Sequence, residues 1–243
     1  SAKDSIAMED IIDSQYPGSE EQRIAKKVAR VMKLAKEKRA ADLLFGTSNF
    51  SNNSSTSAFG GKFNASGAEP LSYLHQLKDT VFAAAHGINP DTLVMGRDLF
   101  RALARNPEVR GYVGTASAGI ASGNLILSDA AVKQVLADVL GIPNIHVGEA
   151  RVDSAVPGAS SSEGYIWTGD SLFMGILKGS DAIVQKGGNV KGMPVAALNF
   201  EFGGMVAGQY DDLGKIRRYV YAEECHLFKG IDSTLGYILT DCL

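Results

Sequence analysis

NPDTLVMGRDLFRALARNP, residues 89–107, decides how the chain is read. Thr92–Met95, a β-branched threonine and three apolar residues, is the kind of short run that makes a buried strand. Gly96 follows, then Asp98–Ala104 with helical spacing, and Asn106-Pro107 stops it. A strand that turns on one glycine into a helix is the frame of many phosphate sites and nucleophile sites. Here the surrounding residues argue for a corner. A phosphate cradle needs more glycines and a basic residue reaching inward. This stretch offers one glycine and then Asp98, whose charge repels a phosphate and complements the positive end of the helix.

No other stretch supplies catalytic chemistry. Thr115-Ala116-Ser117-Ala118-Gly119 lacks the first glycine of a nucleophile elbow, and residues 111–124 read as a loop of small residues. In Glu223-Glu224-Cys225-His226, strand alternation sends Cys225 and His226 to opposite faces, so they cannot share a metal or form a Cys–His pair. His75, His86, His146 and His226 show no ligand spacing, and Asp211-Asp212 sits in a glycine-flanked turn. The two cysteines, Cys225 and Cys242, make no disulfide framework and are expected reduced and mostly buried. The reading is a non-enzyme with no catalytic, metal or cofactor residues. The asparagine sequons at Asn49, Asn52, Asn53 and Asn64 are what an Asn/Ser-rich stretch produces by chance.

The composition is that of an ordinary globular protein. It has 243 residues, 45% hydrophobic and 21% charged, and no apolar run approaches the ~18–20 residues of a membrane span. No secretory signal is visible at the start. The net charge of −3 is uneven. Between residues 23 and 39 eight lysines and arginines face Glu37 alone, so a basic segment sits on an acidic remainder. That segment belongs to a helix expected over 20–45, with Ile24, Val28, Val31, Met32 and Ala35 on its apolar face and Ser19 as its cap. Its basic face suits a polyanion or simply snorkels in solvent.

Residues 1–19 read as an extended arm. Residues 46–69 form a polar loop carrying Phe50, Phe59 and Phe63, aromatics that a mere linker does not need. A helix over 70–87 starts at Pro70 and carries Leu71, Leu74, Leu77, Val81 and Phe82. Helix 129–140 is capped by Ser128 and ended by Gly141. Strands are expected over 144–152, 164–177, 193–206, 215–228 and 234–242. Helices first and strands later argue for an α+β class.

The ordered set "PDTLVMGRDLFRALARNPEVR", "LSDAAVKQVLADVLGIPNIHVGEARVDSA", "IWTGDSLFMGIL" and the ending "GYILTDCL" resembles the major capsid proteins of tailed phages. That is the Hong Kong phage capsid fold, shared with encapsulin shells. The resemblance covers about residues 20–243. It implies an N-terminal arm with a basic helix at 1–45 and an extended loop at 46–69. It further implies a peripheral domain from 70–90 and 179–230, with a spine helix at 70–87, and an axial domain from 91–178 and 231–243. It implies a shell of hexamers and pentamers, the icosahedral head of a phage, enclosing double-stranded DNA held by non-specific charge. Portal and decoration proteins are the further partners, with no membrane partner and no cofactor. The location implied is the virion, after assembly in the bacterial cytoplasm. Arg23, Lys26, Lys27, Arg30, Lys33 and Lys36 are then expected on the inner, DNA-facing side. Phe50, Phe59, Lys62 and Phe63 are expected at contacts between subunits. Relatives that lose a scaffolding segment to a protease give Ser1 a meaning as a mature terminus. The alternative is an encapsulin-type nanocompartment shell.

Overall fold

A computed structural model describes residues 2–13, 18–59, 61–116, 128–156, 158–178, 183–184, 190–191 and 195–243. The elements run β1 (Ala2–Ala7), α1 (Met8–Asp13), α2 (Ser19–Leu44), β2 (Asn52–Ser55), a 3₁₀ turn (Thr56–Phe59), α3 (Pro70–Ala84), β3 (Thr92–Gly96), α4 (Arg97–Arg105), α5 (Pro107–Ala116), α6 (Asp129–Leu140), β4 (Asn144–Gly148), β5 (Arg151–Asp153), β6 (Glu163–Tyr165), β7 (Leu172–Gly175), β8 (Ile183–Val184), β9 (Val190–Lys191), β10 (Ala197–Asp212), β11 (Arg217–Gly230) and β12 (Gly236–Thr240). They fall into two units, Ser1–Ala40 with Asn199–Lys229, and Ala41–Leu198 with Gly230–Leu243.

The larger unit is built on a five-stranded sheet ordered β2-β12-β7-β3-β4, with β3 parallel to β4, β12 parallel to β2, and both β3 and β12 antiparallel to β7. Every residue of β3 and β7 is buried, so the middle of the sheet is covered on both faces. Alternation sends Leu93, Met95, Leu172, Met174 and Leu239 into a cluster with Leu74, Leu77 and Val81 of α3, Leu99, Phe100 and Leu103 of α4, and Val132 and Leu136 of α6. The helices have local reasons to start and stop. Ser128 accepts the Ala131 N–H at 3.2 Å, and Gly141 takes the left-handed conformation, φ 64°, that ends α6. Pro107 opens a further helix, α5. The small-residue loop expected from 111 therefore begins no earlier than 117, and Ser117–Gly119 lie outside the described residues.

Residues 46–69 are folded onto this same unit. β2 pairs with β12, Phe50 packs on Phe173 with ring centroids 5.0 Å apart, and the Thr56 hydroxyl donates to the Asp241 carbonyl. Asn106 pins the far end. Its amide donates to the Phe63 and Ala68 carbonyls, both at 3.2 Å, and its side-chain oxygen accepts the Glu108 N–H at the start of α5.

The smaller unit is a three-stranded sheet ordered β1-β11-β10. One face packs on α2, where Ile6, Val220 and Ala222 meet Ile24, Val28 and Met32. Residues 2–7, part of the expected extended arm, are a strand paired to β11, with Ala2 opposite Ala222 and Ala7 opposite Arg217. The two units group the elements differently from the domains that the resemblance implied. The helix that shares a unit with the strands of 199–229 is α2, whereas α3 belongs to the core of the larger unit. The physical reason is the partner of each apolar stripe. The α3 stripe meets the five-stranded sheet, and the α2 stripe meets Val220 and Ala222.

Candidate interaction surfaces

The corner at Gly96 is closed by the chain itself. A Cβ on Gly96 would lie 2.4 Å from the Thr168 carbonyl oxygen and 2.9 Å from the Gly169 Cα. The glycine is there because another backbone crosses it, not because a ligand does. The next residue is committed as well: Arg97 donates to Asp129 at 2.7 Å and to Glu149 at 2.6 Å. Among the described residues no group of three or more His, Cys, Asp or Glu could hold a metal ion. Cys242 is buried, and burial pushes its thiol up to about 12. Cys225 is exposed, which corrects the expectation of a buried thiol: it lies on the sheet face turned away from α2. His226 lies on the other face, where the Arg39 guanidinium donates to its Nε2 at 3.0 Å. An arginine can only donate, so Nε2 is the accepting atom of this contact, and Nδ1 lies 3.8 Å from a Glu224 carboxylate oxygen.

The six basic residues expected on one inner face separate into two groups. Arg23 pairs with Glu20, Lys27 with Asp4 of β1 at 2.6 Å, and Lys36 with Glu201 at 2.9 Å and with Glu224. These three tie the helix to itself or to its sheet. Lys26, Arg30 and Lys33 are exposed and carry no ion pair among the described residues. Their i, i+4, i+7 spacing sets them in one stripe, opposite Ile24, Val28 and Met32. Sequence reasoning also missed Arg218, which joins Asp211 of β10 at 2.6 Å to Glu21 of α2. Only the folded register brings those three together.

These ion pairs set a pH dependence. Hydrogen bonds from Lys27, Arg218 and Lys36 hold Asp4, Asp211 and Glu224 below their ordinary carboxylate values of 3.8, 3.8 and 4.5. A lowered folded-state pKa stabilises fully above the ordinary value, and the contribution disappears as pH falls through the lowered one. The smaller unit is therefore expected to lose stability as pH drops from about 5 downward and to be flat between pH 6 and 8. Circular dichroism melts across that range check it. A melting temperature unchanged from pH 6 to pH 3 would contradict it.

The four residues expected at subunit contacts are placed differently from one another. Phe50 and Phe63 are 2% and 1% exposed, filled in against Phe173 and Tyr73 of the same chain. Neither reaches a surface, which corrects that expectation for both. Phe59 is half-buried beside Tyr73, at 6.3 Å between ring centroids. Lys62 pairs with Asp241 at 2.9 Å and donates to the Leu243 carbonyl.

The smaller unit carries a surface that the motif search did not reach. Phe202 is 82% exposed and Val206 59%, with Met205, Tyr210 and Leu227 also open. Tyr210 stacks on Tyr219 at 5.1 Å, on the sheet face that α2 leaves uncovered. The signal was present in the sequence: Phe202–Tyr210, FGGMVAGQY, is a charge-free stretch within a strand.

This arrangement of a helix-backed ribbon and a five-stranded sheet with a core of helices occurs in solved structures. A phage-related protein from Bordetella bronchiseptica RB50 superposes with a TM-score of 0.73 at 19% identity, over 99% of this chain and 74% of that one. A virus-like particle from Pyrococcus furiosus gives 0.58 at 11% identity, over 98% and 75%. A protein assigned as a prophage capsid protein of Escherichia coli CFT073 gives 0.57 at 12%, over 98% and 76%. By sequence, no protein-family profile and no curated protein matches the chain. The chain has the phage major capsid fold.

Proposed function

We propose that this chain is a shell-forming structural protein, the major capsid protein of a tailed phage, and that it encloses double-stranded DNA. The observation that carries the reading is the likeness, over 98–99% of the chain, to the Bordetella phage-related protein and to the protein assigned as a prophage capsid protein. Two features of the chain agree with it. The strand-to-helix corner that most resembled a catalytic site is closed by backbone packing at Gly96. Two sets of exposed side chains are suited to contacts: an apolar set on β10 and a basic stripe on α2.

In this reading Lys26, Arg30 and Lys33 face the packaged nucleic acid. Each neutralised phosphate adds about 0.9 to the steepness with which duplex DNA affinity falls with salt, on logarithmic axes. The triple variant Lys26→Glu, Arg30→Glu, Lys33→Glu is expected to flatten that dependence by about 0.9 for each phosphate left without its cation. DNA-binding isotherms at several salt concentrations measure it. An unchanged slope would remove the inward assignment of α2.

A protein-filled nanocompartment is the second reading: the likeness to a Pyrococcus virus-like particle supports a shell and leaves its contents open. The contents of purified particles, nucleic acid or protein, separate the two.

A further inference from the structure

The smaller unit's sheet ends in β10, a 16-residue strand with β11 on one side and, among the described residues, nothing on the other. Such an edge offers a row of unpaired N–H and C=O groups to any strand that reaches it, and proteins that must stay apart blunt it with lysine or proline. Between Ala197 and Asp212 there is no lysine, arginine or proline. Its exposed side chains include the apolar Phe202, Met205, Val206 and Tyr210, beside Asn199, Glu201, Gln209 and Asp211.

We propose that β10 is a pairing edge for a second copy of this chain, joined antiparallel about a twofold axis at Gly208. The inference rests on the shell reading for its choice of a second copy, and on the strand itself for the register. Gly203 and Gly204 take φ of 77° and 69°, a kink that excludes them from regular pairing and leaves Met205 onward as the straight segment. Centring that segment on Gly208 sets Val206 opposite the second copy's Tyr210, and the reverse, an aromatic to β-branched pair that stabilises a sheet. Val206 and Tyr210 fall on one face by alternation, the face where Tyr210 stacks on Tyr219. Gly208 at the axis has no side chain to obstruct the approach, and the Tyr221 ring already lies over it: a Cβ there would be 2.6 Å from the Tyr221 hydroxyl. Asp211 falls opposite Met205, so no two like charges meet, and Arg218 already neutralises Asp211 within its own chain. A polyanion is a poor occupant of a strand whose charged residues, Glu201, Asp211 and Asp212, are all acidic. The joined sheet has six strands and continues the uncovered face across both copies.

Disulfide trapping tests the register. Directly opposed residues of an antiparallel pair have Cα atoms about 4.5–5.5 Å apart, within the range a disulfide spans. Residues 206 and 210 of one strand are about 13 Å apart, so they cannot bridge within a chain. The double variant Val206→Cys, Tyr210→Cys, with the exposed Cys225 changed to Ser, is expected to give a closed covalent dimer on oxidation, without a ladder of higher species. The single variant Val206→Cys in the same background is expected to stay uncrosslinked. Absence of dimer in the double variant, a ladder, or a dimer in the single variant overturns the proposal. Val206→Lys supplies a second measurement: self-association by sedimentation should be lost while the far-ultraviolet circular dichroism is kept, and undiminished association overturns the pairing. Electron microscopy of the same samples reads the shell separately. Closed particles without the crosslink leave the shell and remove this contact; the crosslink without particles does the reverse.

Discussion

Replacing Phe100 with alanine is expected to lower the free energy of unfolding by about 3–5 kcal/mol, the usual cost of removing a buried aromatic ring. Phe100 is fully buried on α4, inside the cluster that α3, α6 and the five-stranded sheet share. Its neighbours Leu99 and Leu103 are fixed by the same packing, so the ring's space cannot close by a small shift. Typical stabilities are only about 5–15 kcal/mol, so this one change removes a large part of the margin. Phe82→Ala is the control. That ring is 40% exposed on the rim of α3 and should cost much less. Denaturant titration of both variants measures the difference. Equal midpoints would mean that the α4 face is not the core described above.

Gly96→Ala is the second large effect, and it comes from adding atoms. The φ of Gly96 is −75°, a conformation any residue adopts, so no backbone strain is involved. The obstacle is the Thr168 carbonyl oxygen at 2.4 Å and the Gly169 Cα at 2.9 Å from the new methyl group. Both are backbone atoms of the segment that leads into β7, which is buried and paired on both sides. A neighbour that cannot rotate away forces a shift of the sheet, and overpacking of this kind costs about 1–3 kcal/mol. Thermal melts of the variant measure it. A variant as stable as the parent would show that the crossing is looser than the contact implies, and would reopen the corner as a place for a ligand.

The parts of the fold that were legible in the sequence are those set by local chemistry. Helix α6 starts at a serine cap and ends on a left-handed glycine, and both signals lie within a few residues of its ends. β3 reads as a strand because the β-branched Thr92 is followed by Leu93–Met95, apolar without interruption. What was not legible depends on partners distant in sequence. β1 reads as an extended arm, but its partner becomes known only when residues 217–222 are placed beside it. Phe63 looks like an outward anchor, but its ring is buried in its own unit and its carbonyl accepts from Asn106, more than forty residues on. The basic helix showed its charge but not which cations are free, because the carboxylates that hold Lys27 and Lys36 come from β1, β10 and β11. The grouping of α2, and not α3, with the β10–β11 ribbon has the same origin: an apolar stripe predicts a buried face without naming what covers it.

The central claim is that this chain's exposed surfaces serve assembly with further copies of itself. Electron microscopy of the purified protein, over a range of concentration and salt, tests it most directly. Closed polyhedral particles are the predicted result. Compact single molecules under every condition would contradict it.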